Sequence, residues 1–306
     1  LTHLNQPSKI YALPNIMATY FIGEKINVRT AFSQSVQALH ELTIVNRFGR
    51  EMDALILNDE AEEYPVLHAN KYMLGGGYST QHFSFDAEFY YKKLDGLMRV
   101  TTLQPDPGFN DNTLPWNFYR LYTGSGWTAG MDLTAYYKKG KTDFVASYTL
   151  SKIAEQYDKF FDGKEFSPQE DRRHQVKLSG RYKMGNFDFS TLITYKSKAP
   201  YLSYIKVEDH DNDHHGHHGI EMAPPEAVFD SLPAYFSLDL GVDYSFKFLN
   251  QRALIGISLI NATDHANVEE IINIGRISRD EKDGIFLIQK SELLGRTWNA
   301  RFRIMF

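Results

Sequence analysis

The segment 209–218 has the highest density of metal-ligating side chains in the sequence, reading Asp-His-Asp-Asn-Asp-His-His-Gly-His-His. Imidazole binds zinc, copper, nickel and iron, and His-rich tracts are typical of metal-binding segments. Gly216 and Gly219 make the segment flexible, so a metal must overcome the entropy cost of ordering it, and a solvated polar loop is the alternative. The predicted ligands are His210, Asp211, Asp213, His214, His215, His217 and His218.

Two further groups of residues are candidates for ligand binding. Trp116, Tyr122 and Tyr204 are predicted ligand-binding residues, as loop aromatics on which a sugar stacks. Acidic residues in the last long loop are candidates for calcium, but their spacing does not match an EF-hand and favours a solvated face. They are Glu269, Glu270, Asp280, Glu281 and Asp283.

The run Asp171-Arg172-Arg173-His174 places both signs of charge at the start of a predicted strand. Catalysis would need a nucleophile or a partnered acid and base, and no such constellation accompanies the run. We interpret it as an ion-pair cluster that fixes a loop to a strand. The sequence predicts no catalytic residue, so the protein is not expected to be an enzyme.

Composition narrows the classes of protein to which the sequence can belong. The 306 residues contain no cysteine, which excludes disulfides and thiol chemistry, and the net charge of −5 argues against a nucleic-acid partner. No run approaches ~18 apolar residues, the length of a membrane-spanning helix. A polar average hydropathy is compatible with a membrane β-barrel, which alternates lipid-facing and lumenal residues.

Strict alternation of apolar and polar residues dominates the chain. In 235–248 seven apolar residues alternate with polar ones, and the segment ending at Phe306 repeats the pattern. Such strands are longer than the common five or six residues and match the 9–11 that cross a membrane. The predicted strands are 10–22, 25–35, 68–79, 82–101, 119–138, 142–153, 173–184, 187–198, 235–248, 251–261 and 298–306.

Short and long connections alternate between these strands. Turns at 23–24, 80–81, 140–141, 185–186 and 249–250 alternate with polar loops at 36–67, 102–118, 154–172, 199–232 and 262–291. Outer-membrane barrels have short periplasmic turns and long extracellular loops. The sequence therefore predicts an all-β fold, a transmembrane antiparallel barrel. Eleven strands suggest half of a 22-stranded barrel, and a miscount by one would give a passive twelve-stranded pore.

Several segments together resemble the barrel of TonB-dependent outer-membrane receptors of the Bacteroidetes type, from about residue 70 to the end. They are the Gly-rich strand entry 124–133, the exit strand 148–152, the charged run 170–175, the stretch 232–240, the segment 259–264 and the terminal Phe306. The family's N-terminal plug and TonB box have no counterpart in this sequence. With no signal peptide either, we interpret the chain as the C-terminal part of a longer receptor.

The resemblance implies an importer of a scarce nutrient, driven by the inner-membrane proton gradient through the TonB complex. Its ligand would be a siderophore, haem, metal, peptide or glycan. Other implied partners are a surface lipoprotein lid, the lipid bilayer and lipopolysaccharide. A barrel that only anchors an adhesin or assembly subunit is a further alternative. No cofactor is expected beyond a transition metal or calcium on the extracellular loops.

Overall fold

The protein is described by a computed structural model that covers residues 11–45, 51–57, 64–103, 118–158, 160–205, 226–277 and 285–305. Eleven strands form the main sheet: β1 (Asn15–Ile22), β2 (Ile26–Gln37), β5 (Leu67–Ser79), β6 (Phe83–Leu103), β7 (Phe118–Lys139), β8 (Thr142–Tyr157), β9 (His174–Met184), β10 (Phe187–Lys196), β13 (Tyr235–Phe248), β14 (Gln251–Ile260) and β17 (Thr297–Met305). Three hairpins complete the strands: β3 (Leu39–Val45) with β4 (Glu51–Leu57), β11 (Ala199–Ile205) with β12 (Glu226–Leu232), and β15 (Val268–Ile277) with β16 (Ile285–Glu292). One 3-10 turn spans Phe161–Gly163.

The main sheet is antiparallel throughout, in the order β1-β2-β5-β6-β7-β8-β9-β10-β13-β14-β17. Each of the eleven predicted strands corresponds to one of its members, so the predicted fold class is confirmed. β1 and β17 are its two edges and are not hydrogen-bonded to each other in the part of the chain that the structure describes. The sheet is therefore an open arc, and the twelve-stranded closed pore gains no support.

Tight turns join the strands at one end of the sheet. Gly140 and Gly185 adopt positive φ angles of 57° and 60° in two-residue turns. Leu249 and Asn250, at 48° and 61°, form the turn between β13 and β14. Positive φ at both central residues matches the right-handed twist of the flanking strands. All five turns contain the predicted residues, and those after β1 and β5 are one residue longer than predicted, at 23–25 and 80–82.

The two faces of the sheet differ in polarity as the alternation predicts. On one face large apolar side chains are open: Trp298 is 68% exposed, Phe302 58% and Leu240 44%. A water-soluble fold would bury such a continuous apolar surface, whereas a barrel presents it to lipid. The opposite face carries Asp, Arg, Ser and Thr side chains, and it forms the inner wall.

Three of the intervals predicted as long loops contain the additional hairpins. β11 and β12 lie within 199–232, β3 and β4 within 36–67, and β15 and β16 within 262–291. β6, β7 and β8 also continue well past the roughly ten residues that cross a membrane. The end of the sheet opposite the tight turns is therefore extended by structured β-hairpins. No helix in the described residues is long and apolar enough to span a membrane.

Candidate functional site

The inner wall is lined by ion pairs that lie flat against the sheet. The Arg29 guanidinium on β2 donates to both carboxylate oxygens of Asp86 on β6, at 2.7 and 2.5 Å. These strands are not neighbours, because β5 lies between them. The pair passes over Gly75 and Gly77 of β5, where an added Cβ would meet the Arg29 guanidinium or the Asp86 carboxylate at 3.2 Å. Glycine leaves room for this bidentate, charge-assisted bond to form.

The same arrangement recurs at the other end of the sheet. Arg301 on β17, Gly256 on β14 and Asp243 on β13 lie in one register row. Arg301 Nε donates to Asp243 Oδ1 at 2.9 Å, and its Nη2 donates to the other oxygen. A Cβ at residue 256 would overlap this carboxylate. Here too the middle strand carries glycine under a pair that joins the two outer strands.

Further polar pairs fill the wall between these two bridges. Arg181 on β9 holds both carboxylate oxygens of Asp188 on β10. Thr149 donates to Asp132 at 2.6 Å. A polar, internally paired wall of this kind lines the lumen of large outer-membrane barrels. The alternation in 235–248 and 298–306 predicts that five charged residues share the lumenal face, and the register places all of them on this inner face: Arg301, Arg303, Asp239, Asp243 and Lys247.

A β-bulge changes which residues of β6 face inward above the membrane. Up to Leu94 the even-numbered residues of β6 share the inner face, but the pairing with β7 shifts between Asp95 and Leu97. Gly96, at φ 88°, occupies the bulge; a Cβ there would meet the Val66 carbonyl. As a result Leu97 and Arg99 join the inner face.

An aromatic cluster, hereafter the mouth cluster, lies where β6, β7 and β8 extend beyond the membrane, and Leu97 packs against it. Its members are Tyr122, Tyr157, Phe160, Phe161 and Phe166. Ring centroids of Tyr122 and Phe160 lie 5.1 Å apart, and those of Tyr157 and Phe166 lie 6.0 Å apart. Phe166 also exchanges two 2.9 Å backbone hydrogen bonds with Glu155. The loop after β8 is therefore folded onto the inner side of the sheet and fixed there.

A charged pair sits inside the mouth cluster. The Arg99 guanidinium lies 5.3 Å from the centroid of Phe166 and pairs with Glu155 at 3.4 Å. Tyr157 donates its hydroxyl to the same carboxylate at 2.9 Å. Burial raises the pKa of Glu155, although Tyr157 and Arg99 act in the opposite direction. Burial, followed by the charge of Glu155, also raises the pKa of the Tyr157 phenol.

The predicted ion-pair cluster at the start of β9 holds several elements together. Asp171 is 3% exposed, accepts the backbone N–H of Ile153 at 3.2 Å and pairs with Arg173 at 2.9 Å. Arg172 donates to the carbonyls of Ser197 and Pro233, at 3.0 and 3.4 Å. The structural interpretation of this run is therefore confirmed.

A second small core joins two of the extracellular hairpins. Ala199, Tyr201 and Leu232 of the β11–β12 hairpin pack against Val268 of β15, and Leu232 is fully buried. The histidine-rich segment lies between the strands of this hairpin in sequence. Its two flanking strands are thus anchored to a neighbouring hairpin.

The predicted site residues are only partly described. The seven metal-ligand candidates and Trp116 lie outside the described residues, as does the side chain of Tyr204. Tyr122 belongs to the mouth cluster and is 8% exposed, so its ring is covered by protein. Among the described residues no group of His, Asp and Glu is arranged to hold a metal ion.

The sequence did not reveal Arg99 and Glu155 as partners, because they are 56 residues apart. The aromatic residues at 157, 160, 161 and 166 were the available signal, but they lay inside an interval predicted to be a polar loop.

No protein-family model matches the sequence, and no curated protein matches it either. Solved structures do. The pyoverdine receptor FpvA of Pseudomonas aeruginosa matches with a TM-score of 0.60 at 13% identity, over 96% of this chain and 36% of that one. BauA, the ferric preacinetobactin receptor of Acinetobacter baumannii, matches with a TM-score of 0.56 at 13% identity, over 99% and 38%.

The fold is that of an outer-membrane β-barrel. PfeA, a ferric enterobactin receptor of P. aeruginosa, gives a similar match, with a TM-score of 0.55 at 12% identity over 95% of this chain and 39% of that one. The chain thus spans little more than a third of the length of these receptors. These solved structures are receptors of the outer membrane, and the chain shares their fold, that of a multi-pass β-barrel of the bacterial outer membrane.

Proposed function

We propose that this chain is part of a TonB-dependent outer-membrane transporter that imports a nutrient using the inner-membrane proton gradient. The observation that carries the proposal is the open eleven-stranded arc, which matches receptor barrels along almost its whole length. Its polar inner wall suits passage of a hydrophilic ligand. A further eleven strands would complete a 22-stranded barrel, the size used by plugged transporters.

The same comparison supports one class of ligand to test first. FpvA, BauA and PfeA are named for pyoverdine, ferric preacinetobactin and ferric enterobactin. A ferric siderophore is therefore the first class to test, ahead of haem, free metal, peptide and glycan. The aromatic residues Trp116, Tyr122 and Tyr204 are proposed contacts for it. Tyr122 and Tyr204 were predicted to be loop residues, but they lie on β7 and β11. Tyr122 would need its cover, the ring of Phe160, to move aside.

The remaining parts of the proposal follow from the family resemblance. They are a plug and TonB box elsewhere in the polypeptide, membership of the Bacteroidetes-type receptors, a surface lipoprotein lid and contact with lipopolysaccharide. The outer wall supports the lipid contact, because it presents a belt of exposed aromatic and aliphatic residues.

Uptake in whole cells tests the transporter proposal. Cells carrying the intact gene are expected to accumulate radiolabelled iron from a panel of purified ferric siderophores, and to lose this uptake when either the gene or TonB is deleted. Uptake that is independent of TonB, or ion conductance of the purified full-length protein through an open lumen, would contradict the proposal.

Metal capture by the histidine-rich segment is a separate proposal. Its support is the seven ligand-type side chains and the anchored strands on either side. Calorimetry with a peptide spanning 205–222 is the direct test, with zinc, copper and nickel as titrants. A Kd weaker than ~1 mM, corresponding to only about 4 kcal/mol of binding, would discard it.

A further inference from the structure

At the end of the sheet that bears the tight turns, three cations crowd the inner wall: Lys247, Arg252 and Arg303. Lys247 on β13 lies directly opposite Arg252 on β14 in the register. Arg303 on β17 pairs with Leu254, two residues along β14 from Arg252, so it is a diagonal neighbour. All three side chains are exposed. We call them the cationic triad.

The triad is electrostatically unfavourable as it stands. Directly opposed residues have Cβ atoms about 5 Å apart, and like charges at such positions destabilise a sheet. Among the described residues none of the three forms an ion pair or a hydrogen bond through its side chain. The nearest carboxylate on these strands is that of Asp243, and both its oxygens are held by Arg301.

Where cations oppose each other elsewhere on the described inner wall, a carboxylate lies beside them: Lys71 is opposite Lys92, and Glu88 is 3.3 Å from Lys71. Arg29, Arg181 and Arg301 each bind both oxygens of a carboxylate on another strand. Beyond the membrane-spanning part of the sheet, Arg99 forms an ion pair with Glu155. Among the inner-wall arginines of the main sheet and its extension whose side chains the structure describes, these four are paired with a carboxylate, and the two in the triad are not. A negative charge from outside the sheet would remove the repulsion among the three cations.

The position of the triad narrows the source of that counter-charge. Its side chains face the lumen, whereas the outer face of the same strands carries Phe248 and Phe302, which are 44% and 58% exposed. Lipid headgroups would meet those aromatics. A counter-charge for the triad would therefore come from an occupant of the lumen, and receptors with this fold have chains far longer than the present one, which covers only 36% of FpvA.

We infer that the cationic triad docks an acidic segment of the same polypeptide, lying in the lumen at the periplasmic mouth. The inference rests on the proposed function, which supplies a plug. Diagonal neighbours on adjacent strands are about 7–8 Å apart. In an extended segment, side chains two residues apart are separated by about 6.6 Å. The segment that fits Arg252 and Arg303 therefore carries two carboxylates separated by one residue.

Site-specific photocrosslinking of the full-length receptor in outer membranes tests this docking. Benzoylphenylalanine replaces Ser245, an exposed residue on the inner face in the row of Arg303. The crosslinked peptide is expected to precede Leu1 in the polypeptide and to contain the acidic pair. Arg252→Glu/Arg303→Glu is expected to lower its yield about tenfold or more, because reversed charges repel the carboxylates.

Two variants control the comparison. Lys139→Glu/Lys141→Glu reverses the same total charge at an exposed turn of the same rim and is expected to leave the crosslink unchanged. Arg252→Lys/Arg303→Lys keeps the charge and should retain most of the yield. Heat-modifiable migration on gels confirms that each variant assembles, and only assembled protein is scored.

The outcomes separate the docking from the proposed function. A crosslink to lipid, to another protein or to a peptide without Asp or Glu overturns the docking, as does a yield that charge reversal leaves intact. A mature polypeptide with no plug-sized region before Leu1 overturns the transporter proposal itself. If the plug is present and TonB-dependent uptake persists, only the docking fails.

Discussion

Single residues on the inner wall have roles that their types alone do not indicate. Asp243 and Arg301 are separated by a whole strand, yet they form a bidentate pair because Gly256 between them has no side chain. The pair links β13 to β17 directly, in addition to the backbone hydrogen bonds that each makes with β14. Both side chains are accessible to water, so the ion pair itself contributes little, and the fit around the glycine matters more.

Substituting that glycine tests the fit. Gly256→Ala is expected to destabilise the barrel by about 1–3 kcal/mol, because the added Cβ overlaps the carboxylate and forces the pair apart. Urea unfolding of full-length protein in lipid vesicles measures the change. Gly180→Ala is the matched control: its Cβ would meet the Thr191 methyl at 3.2 Å and the Phe144 ring at 3.9 Å, with no ion pair in the way. Equal losses in the two variants would contradict the role of Gly256.

Glu155 gives the mouth cluster a dependence on pH. Its folded pKa lies above its unfolded value because burial disfavours the charged form. The folded cluster therefore binds the proton more tightly, and its stability decreases as pH rises from the unfolded pKa through the folded one. Proteolysis of the loop after β8 should accelerate over that window. Glu155→Gln removes the titrating group, so a pH dependence that persists in this variant would contradict the assignment.

At the scale of elements, the loop that follows β8 behaves as a packed unit. Phe166 closes it by a backbone bridge to Glu155 and by ring contacts with Tyr157 and Phe160. A β-bulge at Gly96 makes this packing possible, since it turns Leu97 and Arg99 inward. The extracellular end is therefore shaped by a change of strand register as well as by loop composition.

Removing the ring of Phe166 should release this unit. Phe→Ala substitutions in a core cost about 3–5 kcal/mol, enough to open a local cluster without unfolding the membrane-spanning strands. We expect trypsin to cleave Phe166→Ala after Lys164 under native conditions, much faster than the wild-type protein. Leu294→Ala is the control, because Leu294 is 82% exposed and packs against little. Equal cleavage at Lys164 in wild type and Phe166→Ala would show that the cluster does not hold the loop.

At the scale of the whole molecule, the decisive property is that the apolar face points outward. Leu240 on β13 pairs with Thr191 and faces outward, whereas Leu192 on β10 pairs with Asp239 and faces the lumen. The two leucines are similarly exposed, at 44% and 38%, and sit at nearly the same level. Only the environment of the two faces differs.

An arginine at each position distinguishes lipid from lumen. Leu240→Arg is expected to cost about 2–4 kcal/mol near the middle of the membrane and to reduce assembly, because the charge enters hydrocarbon. Leu192→Arg should assemble normally, since it faces the lumen and Asp239. The heat-modifiable folded fraction in outer membranes measures both. Equal tolerance of the two variants would mean that the assignment of faces is wrong.

Strand positions and faces were predictable because both follow from local pattern. Alternation over 235–248 fixes which side chains share a face, and Gly140 or Asn250 marks a turn through its own backbone preference. The eleven strands, their turns and the lumenal position of Arg301 and Asp243 followed from these signals. They needed no knowledge of which strands were neighbours.

Tertiary structure decided what depends on pairing across the sheet. The sequence could not show that Gly256 lies under an ion pair, that Arg99 meets Glu155, or that Lys247 opposes Arg252, because register joins residues far apart in the chain. The hairpins at the extracellular end were missed because their strands show no strict alternation of apolar and polar residues and lie within intervals predicted to be polar loops. Periodicity is local and determines each strand and its faces. Partners are non-local, and only the folded sheet brings them together.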